Sequence, residues 1–227
     1  MPSDDALQDV HQQLKETVLQ KDYPCVAALR AIEREDYVVG LYGALGRSRR
    51  WRELRQDLLA FLAEQGRSGS PYRTMFAIFP ESGPLTEGAF ETAMWAELSG
   101  LTSEETRSTD WAEGSVSEAN DQAFVFSLGG QALFVVGVHP ASSRRGRRFP
   151  FTGLIFNAFS QFEVFEQRGT YERMVAINRA RDIAFDGSVN PMVERHGNQW
   201  EAIQFSGQKN PDDWKCPFRF MRDAEKK

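Results

Sequence analysis

One short loop is crowded with hydrogen-bond donors. Ser142, Ser143, Arg144, Arg145, Arg147 and Arg148 follow His139-Pro140 directly and end where the apolar run from Phe149 to Phe156 begins. The planar fork of an arginine suits two-point capture of a carboxylate or phosphate, and a solvated loop has little need of four of them. The loop therefore reads as an anion clamp. His139 stands at its entrance, where the apolar run Ala132 to Val138 stops at Pro140, which has no N–H to give to a sheet. An imidazole there is a candidate metal ligand. His11, His139 and His196 are too few and too scattered for a zinc site, so a metal here is expected to take one protein ligand and lie inside a cofactor.

The elements that must position this loop follow from periodicity. Gln131 to His139 and Ala123 to Leu128 read as strands joined by Gly129-Gly130, a hairpin signal because both central positions of a type I′ turn need positive φ. Thr74 to Phe79 and Leu154 to Phe156 read as further strands. Helices are expected from Asp4 to Leu19, with His11 facing solvent, and from Ser48 to Gln65 with Gly66 as its stop. Another runs from Thr86 to Gly100, and the last from Thr170 to Phe185, stopped by Gly187. Ser160 and Glu163 match a capping box opening a helix to Gln167. Tyr23 to Leu29 buries Cys25 in an element that the pattern leaves undecided, as it does Val38 to Leu45. Ala202 to Phe205 reads as a short strand, and the acidic, aperiodic stretch 102–119 as a loop or lid. Arg47, Arg49, Arg50, Arg52 and Arg55 line either a solvated face or an anionic site. Segregated helices and strands predict an α+β class, with helices packed around a mainly antiparallel sheet in one domain over 1–227, the N-terminal helix falling within 1–22.

The 227 residues are 41% apolar and 26% charged with a net charge of -5, an ordinary globular balance that argues against a general nucleic-acid binder. The polar, acidic N-terminus and the lack of a long apolar run predict a cytoplasmic protein without a membrane span. Cys25 and Cys216 lie almost the whole chain apart, so free thiols are expected.

Four pieces together resemble one family: His139-Pro-Ala-Ser-Ser-Arg144, Phe149-Pro-Phe-Thr-Gly-Leu-Ile-Phe-Asn157, Asn190-Pro-Met192, and Ser206-Gly-Gln with Trp214-Lys-Cys-Pro-Phe218. The chain resembles the YqcI/YcgG family, whose characterised members are heme-dependent N-hydroxylases. The resemblance covers nearly the whole length. It implies a heme b, dioxygen or peroxide as oxidant, an unidentified electron donor, and hydroxylation of a guanidino or amino nitrogen in an arginine-like small molecule. On that implication His139 is the axial ligand, Ser142, Ser143, Arg144, Arg145 and Arg148 hold the heme propionates, and Asn157, Glu163, Asp182 and Glu201 are candidates for the substrate cation. Cys216 is the competing ligand, because a thiolate favours O–O cleavage. A strand-end histidine bonded to a carbonyl and a small buried thiol are the structural alternatives. His196 is a candidate distal group and Asn190 a candidate polar anchor. A heme carrier or redox sensor without turnover is the alternative function. A phosphate clamp is a third reading, which no GxxxxGK[ST] or GxGxxG motif supports.

Overall fold

The structure, a computed structural model, describes residues 4–47, 50–190 and 201–222. Its elements in chain order are α1 (Asp4–Val18), α2 (Val26–Glu33), β1 (Tyr37–Leu41), α3 (Trp51–Ser68), β2 (Thr74–Ile78), α4 (Glu87–Gly100), α5 (Arg107–Asp110), β3 (Ser127–Leu128), β4 (Gln131–Val138), β5 (Gly153–Ala158), α6 (Ser160–Gln167) and α7 (Tyr171–Asp186). Two 3₁₀ turns, Arg145–Arg147 and Glu201–Gln204, complete them. The strands form one open sheet in the order β1-β2-β5-β4-β3. Only β1 and β2 pair in parallel; the other three pairings are antiparallel, as the α+β reading expects. Among the described residues no helix is long and apolar enough to cross a membrane.

The sheet is covered on both faces, and alternation decides which residue serves which cover. Leu133 and Val135 of β4, Met75 and Ala77 of β2, and Leu154 and Phe156 of β5 pack with α3 and α4. Phe76, Ile78, Val136, Val138 and Ile155 turn the other way, toward Leu14 and Val18 of α1, Ile32 of α2 and Phe185 of α7. Every position of β2 is buried. It therefore sits well inside the sheet, between β1 and β5.

Gly129 and Gly130 both take positive φ, 57° and 75°, so the hairpin turn forms as its sequence demands. The strand before it is shorter than the apolar run suggested. Only Ser127 and Leu128 pair with β4, because Phe124 and Phe126 turn into an aromatic cluster around Trp111 and Phe218. Segment 102–119 is tied to the body. Asp110 of α5 is 1% exposed, accepts both ends of the Arg55 fork at 2.7 and 2.8 Å, and also takes the Gly129 N–H. Arg50 pairs with Glu53, so two of the arginines at the start of α3 serve structure.

Other boundaries shift for local reasons. Helix α3 runs past Gly66 to Ser68 because Gly69, not Gly66, adopts the left-handed cap. The Tyr23 to Leu29 stretch becomes a helix start, with the Cys25 thiol accepting the Ala28 N–H as its cap. Val38 to Leu45 supplies β1. Ala202 to Phe205 is mostly 3₁₀ turn rather than strand. His11 bonds the Tyr37 hydroxyl at 3.0 Å instead of facing water freely.

Glu97 of α4 is a carboxylate with no exposed surface. Burial pushes its pKa up to about 7, against the partly offsetting bond from the Gly46 N–H at 2.7 Å. The unfolded carboxyl ionises near 4.5, so the folded chain holds the extra proton between those values and stability falls as pH rises through them. The Glu97→Gln variant, which cannot ionise, should gain about 3 kcal/mol relative to the native chain between pH 4.5 and pH 8 in urea unfolding. An unchanged difference across that range would contradict the account.

Candidate small-molecule site

The arginine loop is held by α7. Asp182 and Asp186 lie one turn apart on that helix and face the loop together. The Arg144 guanidinium donates to Asp182 at 2.6 Å and stands 3.6 Å from Asp186. Asp186 also accepts the backbone N–H groups of Arg145 and Gly146. Arg145 donates to the Phe185 carbonyl at 2.7 Å and lies over the Phe185 ring. Arg148 turns back onto the Ser142 and Ser143 carbonyls. Ser143 is itself held by Glu87. Three of the four arginines are thus spent on the protein, and the expected anion clamp is mostly an internal clasp.

Beside this clasp lies a cavity of about 300 Å³. Its apolar wall comes from the α1, α2 and α7 side of the sheet: Phe76, Val136 and Ile155, joined by Phe134, Phe149 and Phe162. The polar groups reaching it include Asn157 of β5, Gln161 of α6, Asn178 and Asp182 of α7, and Glu201 and Gln204 of the second 3₁₀ turn. Glu201 is buried and takes a bond from Gln204 at 3.4 Å. Asn190 lines the same space, its backbone N–H bound to Asp182. The volume is at the lower end of ordinary small-molecule sites, and the mix of an apolar wall with a few converging polar groups is typical of them.

Among the residues expected to share a site, the structure brings Arg144, Asn157, Asp182 and Glu201 to the cavity. Ser142, Ser143, Arg145 and Arg148 belong to the loop but do not line it. Glu163 is exposed on α6, and the capping box does not form: Phe159 caps that helix without any side-chain bond. Asp182 pairs with Arg144 instead of with Arg179 or Arg181. His196 lies outside the described residues. Arg147, which periodicity could not separate from its neighbours, also lines the cavity and is the more buried of the two loop arginines there.

His139 follows the odd-numbered residues of β4 toward α4. Its ring is 1% exposed and lies nearly parallel to Phe90, centroids 4.4 Å apart. Among the described residues neither ring nitrogen has a hydrogen-bond partner, and the buried Ser142 hydroxyl has none either. Burial, only partly opposed by Glu87 and assisted by Arg147, pulls the imidazole pKa below 6.5. Leaving a buried polar group unmet costs about 1–3 kcal/mol, whereas an aromatic stack returns roughly 0.5–1.5. His139→Leu should therefore stabilise the chain by about 1 kcal/mol. It should also flatten the loss of stability below pH 6.5, where the unfolded imidazole takes up a proton that the folded one resists. Urea unfolding at pH 5.5 and 8 checks both. A variant less stable than the native chain at pH 5.5 would overturn them.

Cys216 is 6% exposed, in the core with α4. Burial pushes its thiol up to about 12. Both cysteines are free.

A family model described as the YqcI/YcgG family matches residues 14–219. The chain belongs to the YqcI/YcgG family. No curated protein and no solved structure matches it. In this YqcI/YcgG chain the residues assigned to heme do not fit that group. The imidazole at 139 packs against Phe90 on the face of the sheet opposite the cavity wall, and the Cys216 thiol is buried in the core with α4, outside the cavity lining. The arginines meant for propionates bond α7 or their own loop. Among the described residues no group of three or more His, Cys, Asp or Glu side chains is placed to hold a metal ion.

Proposed function

We propose that this YqcI/YcgG protein binds a small amino or guanidino compound in the cavity beside α7 and hydroxylates one of its nitrogens. The observation that carries the binding half is the lining: aromatic and aliphatic walls share the cavity with a buried carboxylate, Glu201, and with the side-chain amides of Asn157 and Gln204. A guanidinium has donors in one plane and needs acceptors on several sides, which carboxylate and amide oxygens provide. The apolar walls exclude water and strengthen those bonds. Tight walls also hold the reacting nitrogen in one place, so orientation is the contribution expected of this chain's own residues.

The reaction half rests on the family resemblance. N-hydroxylation by dioxygen places one oxygen atom in an N–H bond and reduces the other to water, consuming two electrons and two protons from a donor. Oxidant and donor must come from outside the residues described above. His139 and Cys216 have no part in it in this arrangement.

The test is incubation of the purified chain with hemin, dioxygen, a reductant and a panel containing L-arginine, agmatine and L-lysine, followed by mass spectrometry. A product one oxygen atom heavier, made by the native chain and lost in Glu201→Gln, is expected. Hemin retention without any hydroxylated product would overturn the proposal and leave a carrier.

A further inference from the structure

Arg147 is a buried guanidinium without a carboxylate. It is 8% exposed, yet among the described residues no acidic side chain lies within ion-pair distance of it, in contrast to Arg144 beside it. Its Nη1 donates to the carbonyls of Phe205 at 2.8 Å and Gly137 at 3.4 Å, on the edge of β4. Among the described residues Nε and Nη2 bond nothing, and they are not sealed in the core either, since Arg147 lines the cavity. Withdrawing a charge from water is costly unless a partner meets it. Burial already draws the Arg147 pKa down to about 10.

The side chain is also fixed in place. Gly207 takes φ +79°, and a Cβ there would stand 2.5 Å from Arg147 Cδ and 3.0 Å from Nε. The Ser206-Gly207 turn is therefore shaped around this arginine. The Tyr23 hydroxyl, just before α2, is spent on the Gly146 carbonyl. Asp182 and Asp186 are spent on Arg144 and the loop backbone. What remains among the described residues is a fork of donors with no acceptor, lining a largely apolar cavity.

We propose that Arg147 is the anion anchor of this cavity and that its ligand carries a carboxylate, which the free Nε and Nη2 donors bind. The inference rests on the ligand-binding role proposed above. It adds that recognition is two-ended, with the anionic group at Arg147 and the rest of the molecule along the aromatic wall. The same chemistry could come from the carboxylate of an amino acid or from a porphyrin propionate.

Paired probes that differ only in the acid separate these sources. Calorimetric titration of the full chain would use L-arginine against agmatine, hemin against hemin dimethyl ester, and 4-phenylbutyrate against 4-phenylbutan-1-ol. At least one acid should bind about tenfold or more tightly than its partner without the free acid, the range of a charge-assisted bond, and the pair that shows it names the source. Arg147→Gln should erase that preference and Arg147→Lys should keep part of it. Gly207→Ala, which displaces the fork, should weaken the acid alone, and Arg52→Gln on the exposed face of α3 should change nothing. Probes that bind without preference in the native chain would overturn the Arg147 assignment while leaving the cavity a binding site. Failure of all six to bind would overturn both.

Discussion

Asp186→Ala should cost the chain about 3 kcal/mol. The carboxylate is 5% exposed and collects the Arg145 and Gly146 N–H groups, with Arg144 at 3.6 Å. Breaking a buried pair by removing one partner costs about 3–5 kcal/mol, because the remaining charge and donors lose their acceptor without regaining water. Asp182 still holds Arg144 at 2.6 Å, which places the expected loss at the lower end. The loop carries Arg147 in the same 3₁₀ turn, so its loosening should reach the cavity as well. Urea unfolding gives the stability. Binding of any ligand that prefers Arg147 should weaken in the surviving folded fraction. A loss under 1 kcal/mol would mean that the clasp is not what fixes the loop.

Val175→Trp should abolish ligand binding, by about a hundredfold or more, while leaving the fold intact. Val175 lies half-buried on α7 and lines the cavity. An indole added there competes for much of about 300 Å³ with any ligand. It meets aromatic walls rather than packed core, so the overpacking that penalises large residues in a filled interior is small. Ile177→Trp, two residues on and 39% exposed, serves as the matched control and should bind normally. Equal binding by both variants would place the ligand elsewhere.

The helices and the hairpin were legible because each carries its own signal. Leu54, Leu58, Phe61 and Leu62 mark α3 by spacing, and Gly129-Gly130 marks a turn that only positive φ can make. The site was legible in part. That the loop at 142–148 mattered could be read from its donors, but not what they donate to. Asp182 lies 38 residues from Arg144, and no local pattern links a helix face to a loop at that separation. Glu163 reads as a candidate from its apolar neighbours in sequence, yet its position on α6 turns it to solvent. Which arginine of four points inward depends on the phase of a three-residue 3₁₀ turn, set by Gly207 sixty residues away in sequence. The parity of β4 does put 133, 135 and 139 on one face. It does not say which face holds the cavity, and His139 falls on the other.

The two cysteines report directly on where the ligand lies. Cys25 lines the cavity and Cys216 sits in the core against α4. N-ethylmaleimide labelling, followed peptide by peptide with and without a saturating amount of the tightest-binding amino or guanidino compound, measures both at once. Slower modification of Cys25 by about tenfold with Cys216 unchanged is the result predicted. Full saturation by the ligand with no change in the rate at Cys25 would contradict the cavity as its site.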